Sequence, residues 1–128
     1  MPSRETVEAF IAQVIAGRYL EAIGDWYAED ASMQENQAPP RVGREALLAG
    51  EAETLRRSEK AVAELVSPPA VSGDHVAIHW RFTFTSKARG SVVSFEEIAW
   101  QTWKGDRIWR EQFFYDPAQT ATRRAAQA

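Results

Sequence analysis

The sequence has no cysteine, and only two of its 128 residues are histidines. Without cysteine there can be no disulfide framework and no thiolate-ligated metal site. His75 and His79 fall in a strand pattern, without the helical spacing or carboxylate cluster that accompanies metal ligands. We therefore expect no metal centre, and we place both histidines at the surface or at an interface.

Long apolar runs and basic surface are also lacking. No run approaches the ~20 residues of a membrane span, and the N-terminal residues lack the apolar segment of a signal peptide. The net charge is -3 and the pI is about 5.4, and no glycine-rich phosphate loop is present. These features predict a cytoplasmic, cofactor-independent protein with no nucleic acid or membrane partner.

Large aromatic side chains, by contrast, are abundant. The chain has five tryptophans, six phenylalanines and three tyrosines, and 45% of its residues are hydrophobic. Such side chains dominate both protein cores and interfaces. Two interpretations stay open at this point: a wide core with a subunit interface, or a cavity that holds a ligand.

The first half of the chain has helical periodicity. Thr6 is the predicted N-cap of a first helix that ends at Gly17, and a second short helix is closed by Glu29 and Asp30. A third helix is predicted from about Gly43 to Arg57, with Leu47, Leu48, Ala52 and Leu55 on one side. A short strand that holds Met33 and Glu35 lies between the second and third helices.

The second half has the two-residue period of strands. We predict strands at 61–67, 75–86, 92–103 and 107–115, separated by proline- and glycine-containing turns. Helices followed by an antiparallel meander are typical of an α+β fold, in which the helices cover one face of a sheet. We expect one domain over residues 1–117, followed by a flexible tail over 118–128.

Strand parity predicts which side chains point inward. In 75–86, Val76, Ile78, Trp80, Phe82 and Phe84 form one continuous apolar face. In 107–115, the more aromatic parity contains Trp109, Glu111, Phe113 and Tyr115. In 92–103 both parities are apolar, so the inward one stays open, and a second protomer on the outer face would account for this pattern.

Glu35 is the most informative polar residue, because it falls in a short strand that is expected to face an enclosed cavity. A buried carboxylate must be paired or must change its pKa, and such carboxylates serve in proton transfer. An ion pair with Arg41 or Arg110, or exposure at the cavity mouth, is the alternative explanation.

The order of elements resembles a known family. Two helices, the stretch Tyr27-Ala-Glu-Asp-Ala-Ser-Met33, the helix that opens with Gly43-Arg-Glu-Ala-Leu-Leu48, and a meander ending in Phe113-Phe-Tyr-Asp116 resemble the nuclear transport factor 2-like superfamily. The similarity is greatest to its SnoaL-like polyketide cyclase and ketosteroid isomerase branch. It implies a cone-shaped curved antiparallel sheet, wrapped around an apolar pocket and covered by three N-terminal helices, with a homodimer formed through the outer sheet face.

The resemblance also implies site positions. Glu35 falls where the isomerases carry a general base, with glutamate in place of their aspartate. Phe10 falls near their oxyanion-hole tyrosine and has no hydroxyl. Their second oxyanion donor falls near Ala99, which lies between Glu97 and Gln101. By region alone, Glu111 is nearest to the acid-base aspartate of the cyclases.

Three hypotheses follow. In the first, an isomerase or cyclase-like lyase uses Glu35 as a base and Glu111 as its partner on a small hydrophobic molecule. In the second, the same pocket only binds a ligand, or the outer face binds a protein, without catalysis, and Phe10 favours this. In the third, tryptophans fill the cavity of a purely structural dimer. The predicted substrate-binding residues are Phe10, Trp26, Asn36, Trp80, Phe82, Glu97, Gln101, Trp103, Phe113 and Tyr115.

Overall fold

The computed structural model describes residues 1–120, so most of the predicted tail, 121–128, lies outside the described residues. Three helices and seven strands follow one another between residues 4 and 114. They are α1 (Arg4–Ile15), α2 (Tyr19–Trp26), β1 (Tyr27–Glu35), β2 (Arg41–Val42), α3 (Arg44–Arg57), β3 (Ser58–Leu65), β4 (Ala70–Ser72), β5 (His75–Ser86), β6 (Val92–Lys104) and β7 (Arg107–Phe114).

The strands form one curved, open sheet in the order β2-β1-β7-β6-β5-β3, with β4 also paired to β5. The predicted α+β class is confirmed. One detail of the prediction is wrong: β1 and β7 are parallel, so the sheet is mixed. Hairpins join the antiparallel strands β5, β6 and β7, whereas β1 reaches β7 through a long crossover, which permits parallel pairing.

Helix α1 begins earlier than predicted. Ser3 is its N-cap, and the Ser3 Oγ accepts a hydrogen bond of 3.1 Å from the Thr6 backbone N–H. Thr6 is therefore inside the first turn. The helix buries Val7, Phe10, Ile11 and Val14 against the sheet, while Ile15 is 47% exposed at its end.

Helix α2 ends one residue before Tyr27, which was expected to be helical. The chain becomes extended at Tyr27, and β1 includes the Glu29 and Asp30 that were expected to close the helix. This boundary places the Tyr27 side chain in the interior, 3% exposed. In α3, Leu47 is buried as predicted, but Ala52 is exposed.

The inward face of β5 is the one predicted, and β6 resolves the open question of its parity. Trp80 pairs with Glu97, and Gln101 pairs with Glu111, so Glu97, Ala99, Gln101 and Trp103 point inward. The outward parity of β6 includes Ile98 and Trp100, which are 37% and 43% exposed.

The predicted parity of 107–115 fails at Trp109. The β6–β7 register shifts between Thr102 and Trp103, so Ile108 pairs with Trp103 and Arg110 pairs with Thr102. Trp109 is the extra residue of this bulge. Its ring lies outside the core, and the ring centroid is 3.7 Å from Lys104 Nζ. Ile108 takes the inward place, and Glu111 and Phe113 keep theirs.

The first residues of the predicted tail are hydrogen-bonded to the sheet. Beyond the end of β7, the Gln119 amide accepts a bond of 2.9 Å from the Glu96 backbone N–H and donates one of 3.0 Å to the Glu96 carbonyl. The Gln119 side chain thus extends the pairing of β6 where no further strand residue is available. Within residues 1–120, no helix has the length and apolar character needed to cross a membrane.

Candidate functional site

A cavity lies between the helices and the inner face of the sheet. It has about 80 Å³ of water-accessible space, enough for roughly five or six water molecules or a small organic group. Its walls are mostly apolar. They consist of Phe10, Val14, Tyr19, Ala22, Ile23, Tyr27, Met33, Glu51, Trp80, Phe82, Glu111 and Phe113.

Glu111 is the central polar group of this cavity and is only 3% exposed. The Tyr27 hydroxyl donates to Oε1 of Glu111, and Gln101 Nε2 donates to Oε2 over 2.6 Å. Each carboxyl oxygen therefore has one fixed donor and keeps further lone-pair capacity. A carboxylate held in this way has a defined orientation in the cavity wall.

Trp103 fixes the orientation of the Gln101 amide. The indole Nε1–H donates to Gln101 Oε1 over 2.9 Å, and an indole N–H can only donate. The Gln101 oxygen must therefore face Trp103, so that its NH₂ group faces Glu111. Gln101 is fully buried and Trp103 is 1% exposed, so this chain of bonds excludes water.

Burial raises the pKa of Glu111 to about 7. The hydrogen bonds from Gln101 and Tyr27 lower the pKa, and the charge of Glu51 raises it further, but desolvation is the largest effect. A carboxyl group with this pKa is divided between its acid and base forms near neutral pH. It can both give and take a proton there.

Tyr27 complements Glu111 because its hydroxyl stays protonated. Burial and the charge of Glu111 hold the pKa of Tyr27 well above its usual value near 10. The ring lies edge-on to Phe10, with 6.1 Å between centroids, and it also lines the cavity. Tyr27 therefore places a hydrogen-bond donor beside Glu111.

Two further glutamates belong to the interior. Glu97 is 8% exposed, and burial followed by the charges of Glu111, Glu35 and Glu51 raises its pKa to about 8. Glu51 lines the cavity from α3, and burial raises its pKa while Arg41 opposes that rise. No group of three or more potential metal ligands is present in residues 1–120.

The SnoaL-like domain model matches residues 7–111, which is most of the chain. The chain belongs to the SnoaL-like domain family. A comparison with curated proteins gives no significant sequence match.

Solved structures of SnoaL-like and related proteins have the same fold. A Mesorhizobium loti protein provisionally assigned as a SnoaL-like polyketide cyclase is 26% identical, with a TM-score of 0.75 over 90% of this chain and 100% of that one. A Catenulispora acidiphila protein of ketosteroid isomerase-like fold, solved with trimethylamine, is 20% identical, with a TM-score of 0.78 over 95% and 93%. A Xanthomonas campestris protein provisionally assigned as a polyketide cyclase is 17% identical, with a TM-score of 0.75 over 93% of each chain.

The expected burial of Glu35 is wrong. Glu35 is the exposed last residue of β1 and is not among the cavity-lining residues of this SnoaL-like domain. Its parity on β1 is nevertheless that of Met33, which lines the cavity, and its charge raises the pKa of Glu97 and Tyr115. Glu35 therefore influences the interior from its rim.

The other predicted site residues divide into two groups. Phe10, Trp80, Phe82 and Phe113 line the cavity together with Glu111. The remaining residues lie outside its lining. Gln101 and Trp103 support Glu111, and Glu97 lies beside Trp80 on the inner face. Trp26 donates to Gln13 Oε1, Asn36 Oδ1 accepts from the Tyr115 backbone N–H, and the Tyr115 ring packs on Phe95.

Sequence reasoning missed three polar residues of the cavity: Tyr19, Tyr27 and Glu51. Tyr27 was assigned to a helix, so no inward strand parity was considered for it. Glu51 follows Leu47 by four positions, and a spacing of four places two side chains on the same helix face. That spacing was the available signal that α3 carries a carboxylate toward the core.

Proposed function

We propose that this SnoaL-like protein is a cofactor-independent enzyme that performs acid-base chemistry on a small, largely apolar molecule. The observation that supports this most is Glu111, a buried carboxyl group with a pKa of about 7 in the wall of an aromatic cavity. Efficient general acids and bases have pKa values close to the operating pH. Isomerisation and cyclisation both need such a proton transfer.

In the proposed mechanism Glu111 removes a proton from the bound substrate. The Tyr27 hydroxyl, which donates to Glu111 Oε1 in the resting protein, then turns to donate its one hydrogen to the substrate oxygen on which negative charge develops. Gln101 and Trp103 hold the Glu111 carboxyl group and are positioning residues. The aromatic walls give the site an apolar surrounding, which strengthens each of these electrostatic interactions. Glu35, at the rim, affects the reaction only through its charge.

Exchange of carbon-bound protons for deuterium provides a direct test that needs no knowledge of the natural substrate. Small cyclic ketones, with cyclohexanone and 3-cyclohexenone as the first two, are incubated with the protein in D₂O and followed by NMR. We expect wild type to accelerate α-proton exchange and Glu111→Gln to lose that acceleration. Glu64→Gln, an exposed substitution on β3, is the matched control and should exchange like wild type.

The alternative function is a non-catalytic binding module. It is favoured by Phe10, which lines the cavity without the hydroxyl that the isomerase resemblance implies at that position. Tyr27 provides a hydroxyl in the same wall and weakens this argument. A ketone that binds in the cavity and whose exchange rate is the same with and without the protein would favour the binding module.

We also propose that the outer face of β5, β6 and β7 forms a homodimer. Ile98 pairs with Phe114 across β6 and β7, and with Trp100 they expose a contiguous apolar surface. Beside it, Glu96 lies 2.8 Å from His79 Nε2 and 3.6 Å from an Arg81 nitrogen. A face that combines apolar area with both charge signs is suited to pairing with a copy of itself.

The substitution Trp100→Glu tests this interface. Placing a charge at the centre of the apolar surface should convert a dimer to a monomer in sedimentation velocity, because that charge would have to be desolvated without a partner. Val42→Glu changes a 63% exposed residue on the edge strand β2 and should leave the dimer intact. A monomeric wild type would refute the proposal.

A further inference from the structure

Carboxyl groups lie in and beside the lining of the cavity, and no basic side chain is among the described residues of that lining. Glu51 and Glu111 line it, and Glu97 points to the same side of the sheet as its cross-strand neighbour Trp80, another lining residue. Glu35 adds its field from the rim, and the charges of Glu111, Glu35 and Glu51 all raise the pKa of Glu97. Four carboxyl groups thus line or adjoin this small cavity.

Glu97 is the least explained of these groups. It is 8% exposed, and its side chain accepts no hydrogen bond from any residue in 1–120. Among the described residues, no fully buried side-chain oxygen or nitrogen lacks a partner, so the Glu97 oxygens must retain contact with open space. A nearly buried carboxyl group without a partner is costly to keep unless something binds to it.

Among the described residues, the lining of the cavity contains no lysine, arginine or histidine. In the described part of the chain, Arg41 is the basic residue that lowers the pKa of Glu51, and no basic residue lowers the pKa of Glu97 or Glu111. Arg41 is itself exposed. Glu111 has hydrogen-bond donors from Tyr27 and Gln101, but both donors are neutral.

The walls of the cavity suit an organic cation better than a metal ion. Phe10, Tyr19, Tyr27, Trp80, Phe82 and Phe113 contribute aromatic rings to the lining. Ring faces attract ammonium groups and pack against apolar carbon, whereas metal ions need several oxygen or nitrogen ligands at short distance. An aromatic cavity with carboxyl groups in its lining therefore selects for an amine with an apolar body.

We propose that the molecule bound in this cavity is an organic ammonium ion. Its apolar body lies on the aromatic rings, and its charged nitrogen lies at the edge of the lining, within reach of Glu51 and of Glu97, the cross-strand neighbour of the lining residue Trp80. The inference rests on the proposed use of this cavity as the substrate site, and it specifies the substrate class. It does not depend on the identity of the reaction.

Binding of such a cation is linked to proton release. The titratable groups that face the site are Glu35, Glu51, Glu97, Glu111, Tyr19, Tyr27 and Tyr115, with Arg41 as the nearby permanent cation. Near pH 7, Glu97 is mostly protonated because its pKa is about 8. An ammonium ion stabilises the carboxylate, so binding expels a proton and tightens as the pH rises from 6 to 8.5.

The experiment compares 2-phenylethylamine with 2-phenylethanol, which have similar size but differ in charge, by isothermal titration calorimetry. We expect the amine to bind about tenfold or more tightly at pH 8.5. We also expect its apparent binding enthalpy to vary with the ionisation enthalpy of the buffer, since protons are released. The alcohol should show no such variation.

Glu97→Gln should abolish the preference for the amine, and Glu51→Gln should reduce it, which provides a second variant if one of them does not fold. Glu96→Gln, the neighbouring substitution on the outer face, should keep the preference. If the alcohol binds as tightly as the amine, the cation inference is wrong and the acid-base proposal stands. If neither binds while ketone exchange is catalysed, only this inference fails, and if exchange is absent as well, both fail.

Discussion

The Glu111→Gln variant is expected to melt about 10 °C above wild type at pH 8.5 and close to wild type at pH 4. Glutamine keeps the size and shape of the side chain and removes its charge. It can accept from Gln101 and donate to the Tyr27 oxygen, while the Tyr27 hydroxyl hydrogen turns toward the cavity that Tyr27 lines. The difference between the two proteins therefore reports the cost of the buried charge.

The sign follows from the pKa of Glu111, which is about 7 in the folded protein, above the ordinary glutamate value of 4.5. Between these values the folded protein keeps a proton that the unfolded chain has lost. Wild-type stability is thus fully present below pH 4.5, falls as the pH rises, and levels off above pH 7. The total loss is on the order of 3 kcal/mol, and the glutamine variant avoids it.

Thermal melts at half-unit steps from pH 4 to 8.5 measure this difference. Glu64→Gln, which removes an exposed charge from β3, is the control and should follow wild type throughout. A Glu111→Gln variant that is less stable than wild type at pH 8.5 would mean that the carboxylate has a structural role, and its catalytic assignment would then be abandoned.

The second large effect is expected for Gln101→Leu, which should destabilise the protein by about 3 to 4 kcal/mol. The substitution removes the acceptor of the Trp103 indole N–H and a donor to Glu111 at the same time. Both partners are almost fully buried, so water cannot replace the lost bonds. Leaving a buried polar group unsatisfied costs about 1–3 kcal/mol for each group.

Denaturant unfolding at pH 6 measures the Gln101→Leu effect. Gln34→Leu is the matched control, because the Gln34 side chain makes no hydrogen bond within residues 1–120, and its cost should be below about 1 kcal/mol. A second readout separates positioning from stability. The hydrogen bond from Gln101 lowers the pKa of Glu111, so its loss should raise that pKa. The pH at which ketone exchange becomes fast should then rise as well.

An unchanged pH profile in folded Gln101→Leu would contradict the role given to this amide. A stability loss equal to that of Gln34→Leu would contradict the buried network itself. Both outcomes are independent of the melting behaviour of Glu111→Gln.

The sequence was sufficient to predict the fold class and the inward face of β5, because strong periodicity and family resemblance agree there. Glu111 and Phe113 were also assigned correctly to the interior. The bulge at Trp109 could not be predicted, because Ile108 and Trp109 are adjacent and both apolar, so either could take the inward place. The parallel β1–β7 pair depends on tertiary packing rather than on any local signal.

The candidate site was predicted less well, for two physical reasons. A one-residue change at the end of α2 decides whether Tyr27 lies in a helix or points inward from a strand, and sequence patterns do not locate helix ends that closely. Glu35 was predicted to be enclosed on the basis of its strand, but it is the last residue of β1, where the cavity is open. Burial depends on the position along a strand as well as on parity.

The claim that Glu111 is a proton-transfer group is tested most directly by its own titration. The protein is labelled with ¹³C at the glutamate side-chain carboxyl carbon, and NMR spectra are recorded from pH 4 to 10, with the Glu111 resonance assigned by its absence in Glu111→Gln. The account predicts a midpoint near pH 7 for Glu111, with Glu97 titrating higher, near 8. A Glu111 midpoint near the ordinary glutamate value of 4.5 would contradict it, because the carboxyl group would then be ionised at neutral pH and act only as a structural acceptor.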